Sequence, residues 1–402
     1  MLDNSQLPLR VGIVGTPGYV QADSTIPTEQ IIETIGENTG NLAFQYAVAS
    51  HIASTKHYVS WDSSDPAWVR EVCDILVYPA ANAINPRRDH TQRADFIEAV
   101  DLPCVVVGLG AQAPELGSEV KLNKGSERWL KVLAERSHSI GVRGEYTADV
   151  LARIGIQNTL VLGCPSHLIN PLPTLGEVLE KKFYHSQLQK LVVPAGSPEK
   201  KSLKRVEQKL IGWLRSYNGM YVCQAPPQLI SLARNGEDEV SKEWLNQFRR
   251  YLLPTLSYYT QPRSKFVSFI KQHFRIFFNV EEWLEFLTSF DLSLGTRMHG
   301  SSLATQSATP AICIYHDSRT RELCRTLAIP HVSVNQFLSV RNIKELIDSV
   351  CFDGKSFDQN RIKLAHQYKE LLIKSGISTS DRLNLLADVK QREHFEIGTS
   401  RT

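Results

Sequence analysis

Short, unbroken apolar runs alternate along this chain with stretches whose apolar residues recur every three or four positions. Arg10-Val-Gly-Ile-Val-Gly, Asp74-Ile-Leu-Val-Tyr, Cys104-Val-Val-Val-Gly, His138-Ser-Ile-Gly-Val and Thr159-Leu-Val-Leu-Gly are runs of the first kind. Helical spacing falls between them, over 42–54, 93–100, 128–136 and 148–154. Unbroken apolar strands separated by helices are the sequence form of a parallel sheet covered on both faces. A second series follows at 191–194, 220–223, 291–294, 311–315 and 331–334, again with helical patterns between. Two such series predict an α/β protein of two Rossmann-like halves.

Pro171, Pro173 and Gly176 punctuate the chain after the first series. They set the expected boundaries: an N-terminal domain over 1–172, a C-terminal domain over 173–355, and a helical segment with a tail over 356–402. The last of these reads as one long helix or as two broken at Gly376. Inside the second domain the segment 242–278 is rich in aromatic and basic residues. Phe266, Phe269, Ile270, Phe274, Phe277 and Phe278 fall at helical spacing on one face, with Lys265, Lys271 and Arg275 elsewhere. Such a face either packs on the body of the domain or lies on an anionic membrane.

The chemistry-bearing stretch is Asp291-Leu-Ser-Leu-Gly-Thr-Arg-Met-His-Gly-Ser-Ser-Leu-Ala. Leu292 and Leu294 end a strand, Gly295 and Thr296 make the turn, and a small-residue helix is expected over 300–308. Arg297 and His299 then stand at a helix N-terminus, where free amides and the helix dipole favour negative charge. A guanidinium fork and a titratable imidazole suit a phosphate or a carboxylate there. The plain alternative is an Arg paired with a nearby acid and a His satisfied in the core. Thr296 and Ser301 add hydroxyls and Gly300 an open backbone at the same place.

Gly295-Thr-Arg-Met-His-Gly-Ser-Ser, followed by Thr309-Pro-Ala-Ile-Cys-Ile, resembles the Arg-x-His hallmark of the polysaccharide pyruvyl transferase family. Three more segments are similar to that family's motifs in the right order: Gly36-Glu-Asn-Thr-Gly-Asn-Leu, Val107-Gly-Leu-Gly-Ala-Gln and Ser139-Ile-Gly-Val-Arg-Gly-Glu-Tyr-Thr. The likeness runs over about residues 10 to 340. Asn41 stands where the family usually carries an acid, and 163–170 lacks an Asp often seen there.

The resemblance implies a GT-B-like fold with ligand in the cleft between the halves. It also implies transfer of a pyruvyl group from phosphoenolpyruvate, as a donor substrate and without a further cofactor, to two hydroxyls of a saccharide that is free, polymeric or lipid-linked. It carries the donor site to Arg143, Arg297 and His299, with Arg143 otherwise expected to pair with Glu145. Asn38 and Asn41, in the loop before the helix from Leu42, are candidate ligand contacts, although Asn41 suits an N-cap equally. Two other functions share these features: a glycosyltransferase using a nucleotide sugar, and a saccharide-binding protein without catalysis.

Composition narrows the field further. A net charge of +3 over 402 residues gives no electrostatic argument for nucleic acid. The first residues carry no basic region followed by an apolar core, so a cytoplasmic protein, at most peripheral to the membrane through 242–278, is expected. Seven cysteines without any Cys-x-x-Cys pair read as reduced thiols, and no metal-ligand spacing occurs. Gly12, Gly15 and Gly18 miss the dinucleotide spacing and read as a tight turn.

Overall fold

Alternation of side chains along the strands divides the core of the first half into two layers. In the computed structural model, which describes residues 9–113, 120–196 and 200–389, six parallel strands form the first sheet: β1 (Val11–Val14), β2 (Lys56–Val59), β3 (Ile75–Pro79), β4 (Cys104–Leu109), β5 (Ile140–Val142) and β6 (Thr159–Val161). Their order across the sheet is β2-β1-β3-β4-β5-β6. Val11, Ile13, Ile75, Val77, Val105 and Val107 turn to one face, and Leu76, Tyr78, Cys104 and Val106 to the other. The inner strands are buried throughout, which is why they read as unbroken apolar runs.

The second sheet is also six-stranded and parallel. It comprises β7 (Leu191–Ala195), β8 (Met220–Cys223), β9 (Phe274–Arg275), β10 (Leu292–Gly295), β11 (Ala311–Tyr315) and β12 (His331–Ser333), in the order β12-β11-β10-β7-β8-β9. Chain order reverses between β10 and β7. In open sheets of this kind, ligands collect beyond the carboxyl ends of the strands at such a reversal. Two covered parallel sheets give the α/β, GT-B-like architecture expected.

The aromatic segment 242–278 is three helices and a strand rather than one amphipathic helix. Helices Lys242–Leu252, Thr255–Thr260 and Arg263–His273 lead into β9, which pairs with β8 at the sheet edge. Phe248, Phe266, Ile270 and Phe274 are all buried in the core, and Phe274 stacks on Tyr221 with ring centroids 4.3 Å apart. Phe277, past the strand, stacks instead on Trp283. The apolar face that a membrane would need is therefore consumed by packing. Among the described residues no helix is long and apolar enough to cross a membrane.

The C-terminal pattern resolves into helices Gly354–Lys374 and Asp381–Ala387, separated by Gly376 at φ 78°. The second is tied to the first half: Ala53 N–H donates to Ser378 O at 2.8 Å, and Ser380 N–H to His51 O at 2.9 Å. Arg361 in the long helix is fully buried. Its guanidinium donates to the carbonyls of His167, Asn170 and Leu172 in the segment joining the two sheets, with Asp358 3.7 Å away. At the opposite end Val20 N–H donates to Phe278 O at 3.0 Å and Val280 N–H to Gly18 O at 3.1 Å. The glycine loop is a packed turn: Thr16 binds Gln45, and a Cβ on Gly18, at φ 96°, would sit 2.2 Å from Tyr46 Cβ.

Candidate active site

Arg297 lies two residues beyond β10, and its backbone N–H donates to Pro194 O of β7 at 3.0 Å. Its guanidinium also donates to Gly196 O, just after β7. The side chain is thus held across the reversal point of the second sheet. Arg297 is itself the N-cap of helix Met298–Gln306, which begins two residues earlier than the small-residue pattern suggests. Extended backbone at Arg297 (φ −103°, ψ 109°) lets the helix start directly off the strand, and Ser301 N–H is the amide that returns to Arg297 O, at 3.2 Å. His299 therefore sits in the first turn.

His299 contacts the first half on three sides. Its ring lies 5.4 Å from that of Phe44. Cys164 Sγ is 3.9 Å from Nε2. On the Nδ1 side is Gly40, where a Cβ would fall 3.1 Å from Nδ1, 2.5 Å from Gln224 Oε1 and 3.0 Å from Asn38 Oδ1. Glycine is needed at position 40 because the loop presses directly on the imidazole. Asn38 accepts from Gly40 N–H at 2.8 Å and so fixes that loop beside His299.

Arg143 approaches from the first half. It follows β5 and is 2% exposed. Nε donates to Gly108 O at 2.8 Å and one terminal nitrogen to Asn82 Oδ1 at 2.5 Å, while the other terminal nitrogen has no hydrogen-bond partner among the described residues. Glu145 is exposed, and no ion pair joins it to Arg143 among the described residues. The carboxylate nearer by charge is Glu322, which accepts instead from Thr147 N–H at 2.8 Å and Thr147 Oγ1 at 2.9 Å.

Electrostatics bind these groups into one site. His299 is held well below the ordinary imidazole range, first by removal from water and then by the charges of Arg143, Arg319 and Arg297. Arg143 is lowered by burial, with Arg319 adding to the effect. Three guanidiniums from both halves thus surround one neutral imidazole.

Not every expected contact reaches this site. Asn41 is the first residue of its helix, with Gly40 as N-cap, and its Nδ2 donates back to Ile35 O and Gly36 O at 2.9 and 3.1 Å, closing the loop that carries Asn38. The N-cap alternative for Asn41 is corrected accordingly. Thr296 and Ser301 are buried, their hydroxyls without partners among the described residues. Gly300 is accounted for by packing: a Cβ there would lie 2.2 Å from Pro194 Cβ and 2.8 Å from Gln224 Nε2.

Several members escaped the sequence reading. Arg319 follows β11 and pairs with Asp317 at 3.3 Å. Asn82 follows β3, Gln224 follows β8, and Cys164 opens the turn after β6, its sulfur 3.1 Å from Ser166 Oγ. All lie just past the carboxyl end of a strand, so the strand-end rule applied to every run would have found them.

The polysaccharide pyruvyl transferase family model matches residues 38–318, which holds Arg143, Arg297, His299 and the 36–42 loop from Asn38 onward. No curated protein matches the sequence. Among solved structures, HepE of Anabaena in complex with UDP and glucose is similar over 91% of this chain and 100% of its own, at 9% identity and a TM-score of 0.46. The UDP-GlcNAc 2-epimerase of Neisseria meningitidis bound to UDP-GlcNAc covers 91% and 99% at 10% identity, with a TM-score of 0.42. MnaA of S. aureus with UDP covers 91% and 97%, also at 10% identity and 0.42. With the family model spanning most of the chain and enclosing the Arg-His site, this protein belongs to the polysaccharide pyruvyl transferase family.

Proposed function

We propose that the protein transfers a pyruvyl group from phosphoenolpyruvate to two hydroxyls of a saccharide, forming a cyclic ketal and releasing phosphate. Arg143 carries the reading. A guanidinium taken out of water, held only by two neutral oxygens and lacking an ion-pair partner among the described residues, is costly unless a ligand anion completes it. Phosphoenolpyruvate brings two anionic groups, and the forked donors of Arg143 and Arg297, with Arg319 beside them, suit both its phosphate and its carboxylate.

In this mechanism C3 of the enol takes a proton, C2 gains oxocarbenium character, and one saccharide hydroxyl attacks C2. Phosphate then leaves and the second hydroxyl closes the ring. His299 protonates the departing phosphate or takes a hydroxyl proton. The arginines stabilise charge on phosphate and carboxylate as it redistributes. Free and lipid-linked saccharides both fit as acceptors, and the protein would act on the cytoplasmic side of the envelope.

The test is calorimetric titration of the full chain with phosphoenolpyruvate beside a panel of nucleotide sugars, with Arg297→Ala as control. Saturable phosphoenolpyruvate binding, weakened about 30-fold or more by Arg297→Ala as expected for loss of a charge-assisted contact worth roughly 2 kcal/mol or more, supports the donor site. Binding of a nucleotide sugar with no response to phosphoenolpyruvate overturns it.

A further inference from the structure

The pyruvyl transfer proposed above needs a proton at C3, and His299 is already occupied with oxygen chemistry. A second imidazole stands on the other flank of Arg297. His316 is the first residue after β11, and its Nε2 lies 3.1 Å from Lys200 Nζ. Lys200 comes from the segment after β7. Strand β10, which leads to Arg297, runs between β11 and β7 in the sheet. The segments that follow the two flanking strands thus meet through these side chains, with Arg297 among the charges that act on His316.

The pair is built as a donor. The His316 side chain is 9% exposed, and its Nδ1 is buried without a hydrogen-bond partner among the described residues. If Nε2 accepts from the Lys200 ammonium, the ring proton resides on Nδ1, which then has a hydrogen and nothing to give it to. The charged neighbours are Asp317, whose Oδ2 is 3.7 Å from Nε2, and Arg319 and Arg297. Burial, Lys200 and the two arginines bring His316 down to about 4 against the opposing pull of Asp317, so the ring is neutral at neutral pH.

We propose that Lys200 and His316 form the relay that protonates C3 of the enol. The Nδ1–H proton moves to C3, whose π electrons form the new C–H bond and leave C2 electron-poor. An Nζ–H proton of Lys200 moves to Nε2, and neutral Lys200 recovers a proton from solvent, to which it is half-exposed. The ring is neutral before and after, having exchanged one nitrogen's proton for the other's. Charge is conserved and no further reactant is required.

This inference rests on the phosphoenolpyruvate reading, and the experiment separates the two. A crystal structure of the full chain with phosphoenolpyruvate is expected to place C3 roughly 3–3.5 Å from His316 Nδ1, the range for reacting atoms. His316→Gln, which retains a group facing Lys200, is expected to keep phosphoenolpyruvate affinity within about 3-fold. A bound donor whose C3 faces away from Nδ1, or toward another acid, overturns the relay and leaves the donor site intact. So does a His316→Gln loss of affinity beyond tenfold, since His316 would then be an anion contact. Failure of wild type to bind phosphoenolpyruvate overturns both.

Discussion

Donor binding should draw a proton onto His299, because the charges that keep this imidazole neutral are the ones a donor would neutralise. In the free protein burial and three guanidiniums hold His299 well below 6.5. A bound phosphate and carboxylate reverse the sign of that field, so the pKa rises on binding. The sign follows directly: the protonated form is favoured in the complex, so affinity is greatest at low pH and is lost as pH rises through the window between the free and bound values. Full uptake of one proton corresponds to a tenfold change in Kd per pH unit, about 1.4 kcal/mol. The assay is titration calorimetry with phosphoenolpyruvate at pH 7.5, where the phosphate is already almost fully ionised, in buffers of differing ionisation enthalpy. Net proton uptake is expected for wild type, and close to none for His299→Gln. Zero uptake in wild type, with binding intact, would refute the argument that the arginine field acts on His299.

Two further outcomes test the frame that carries the site. Arg361→Ala strands the carbonyls of His167, Asn170 and Leu172 and removes the partner of Asp358, so a loss of about 3–5 kcal/mol is expected; chemical denaturation followed by fluorescence measures it, and a change under about 1 kcal/mol would contradict the buried clamp. Gly300→Ala drives a methyl into Pro194 and Gln224, with an expected cost of about 1–3 kcal/mol and weaker phosphoenolpyruvate binding as the Arg297 turn shifts; a variant with unchanged melting temperature and affinity would show that the contact relaxes freely.

Most of the fold was legible because inner parallel strands are buried on both faces and leave an unbroken apolar signature. The elements that escaped lie at sheet edges. Strand β2 reads Lys56-His-Tyr-Val, with only Val59 buried, so no apolar run announces it. Strand β9 is two residues long and directly continues a helix, and its Phe274 kept the helical spacing by coincidence. Arg297, His299 and Arg143 stood out because they are polar residues at the ends of strong strands. Arg319 and His316 follow an equally strong strand, so the strand-end rule marks them as candidates, but that this strand lies next to the one leading to Arg297 comes from strand order, a long-range property.

Arg143 also explains why the site needs both halves. Its nearest carboxylate by charge, Glu322, comes from the second half and is spent on Thr147 beside Arg143, where burial raises its pKa against the pull of those hydrogen bonds. Ser318, the first residue of the same helix of the second half, likewise donates from Oγ to Ala113 O at 2.7 Å. These bonds hold the walls together without placing a carboxylate on Arg143. The segment 163–170 brings a thiol rather than a carboxylate to the site, Cys164 Sγ lying 3.9 Å from His299 Nε2. A carboxylate there would compete with any anionic ligand for the same guanidinium. The bonds across the cleft therefore hold the two halves around Arg143 while one of its terminal nitrogens stays without a hydrogen-bond partner among the described residues, an arrangement that suits the anionic donor proposed above.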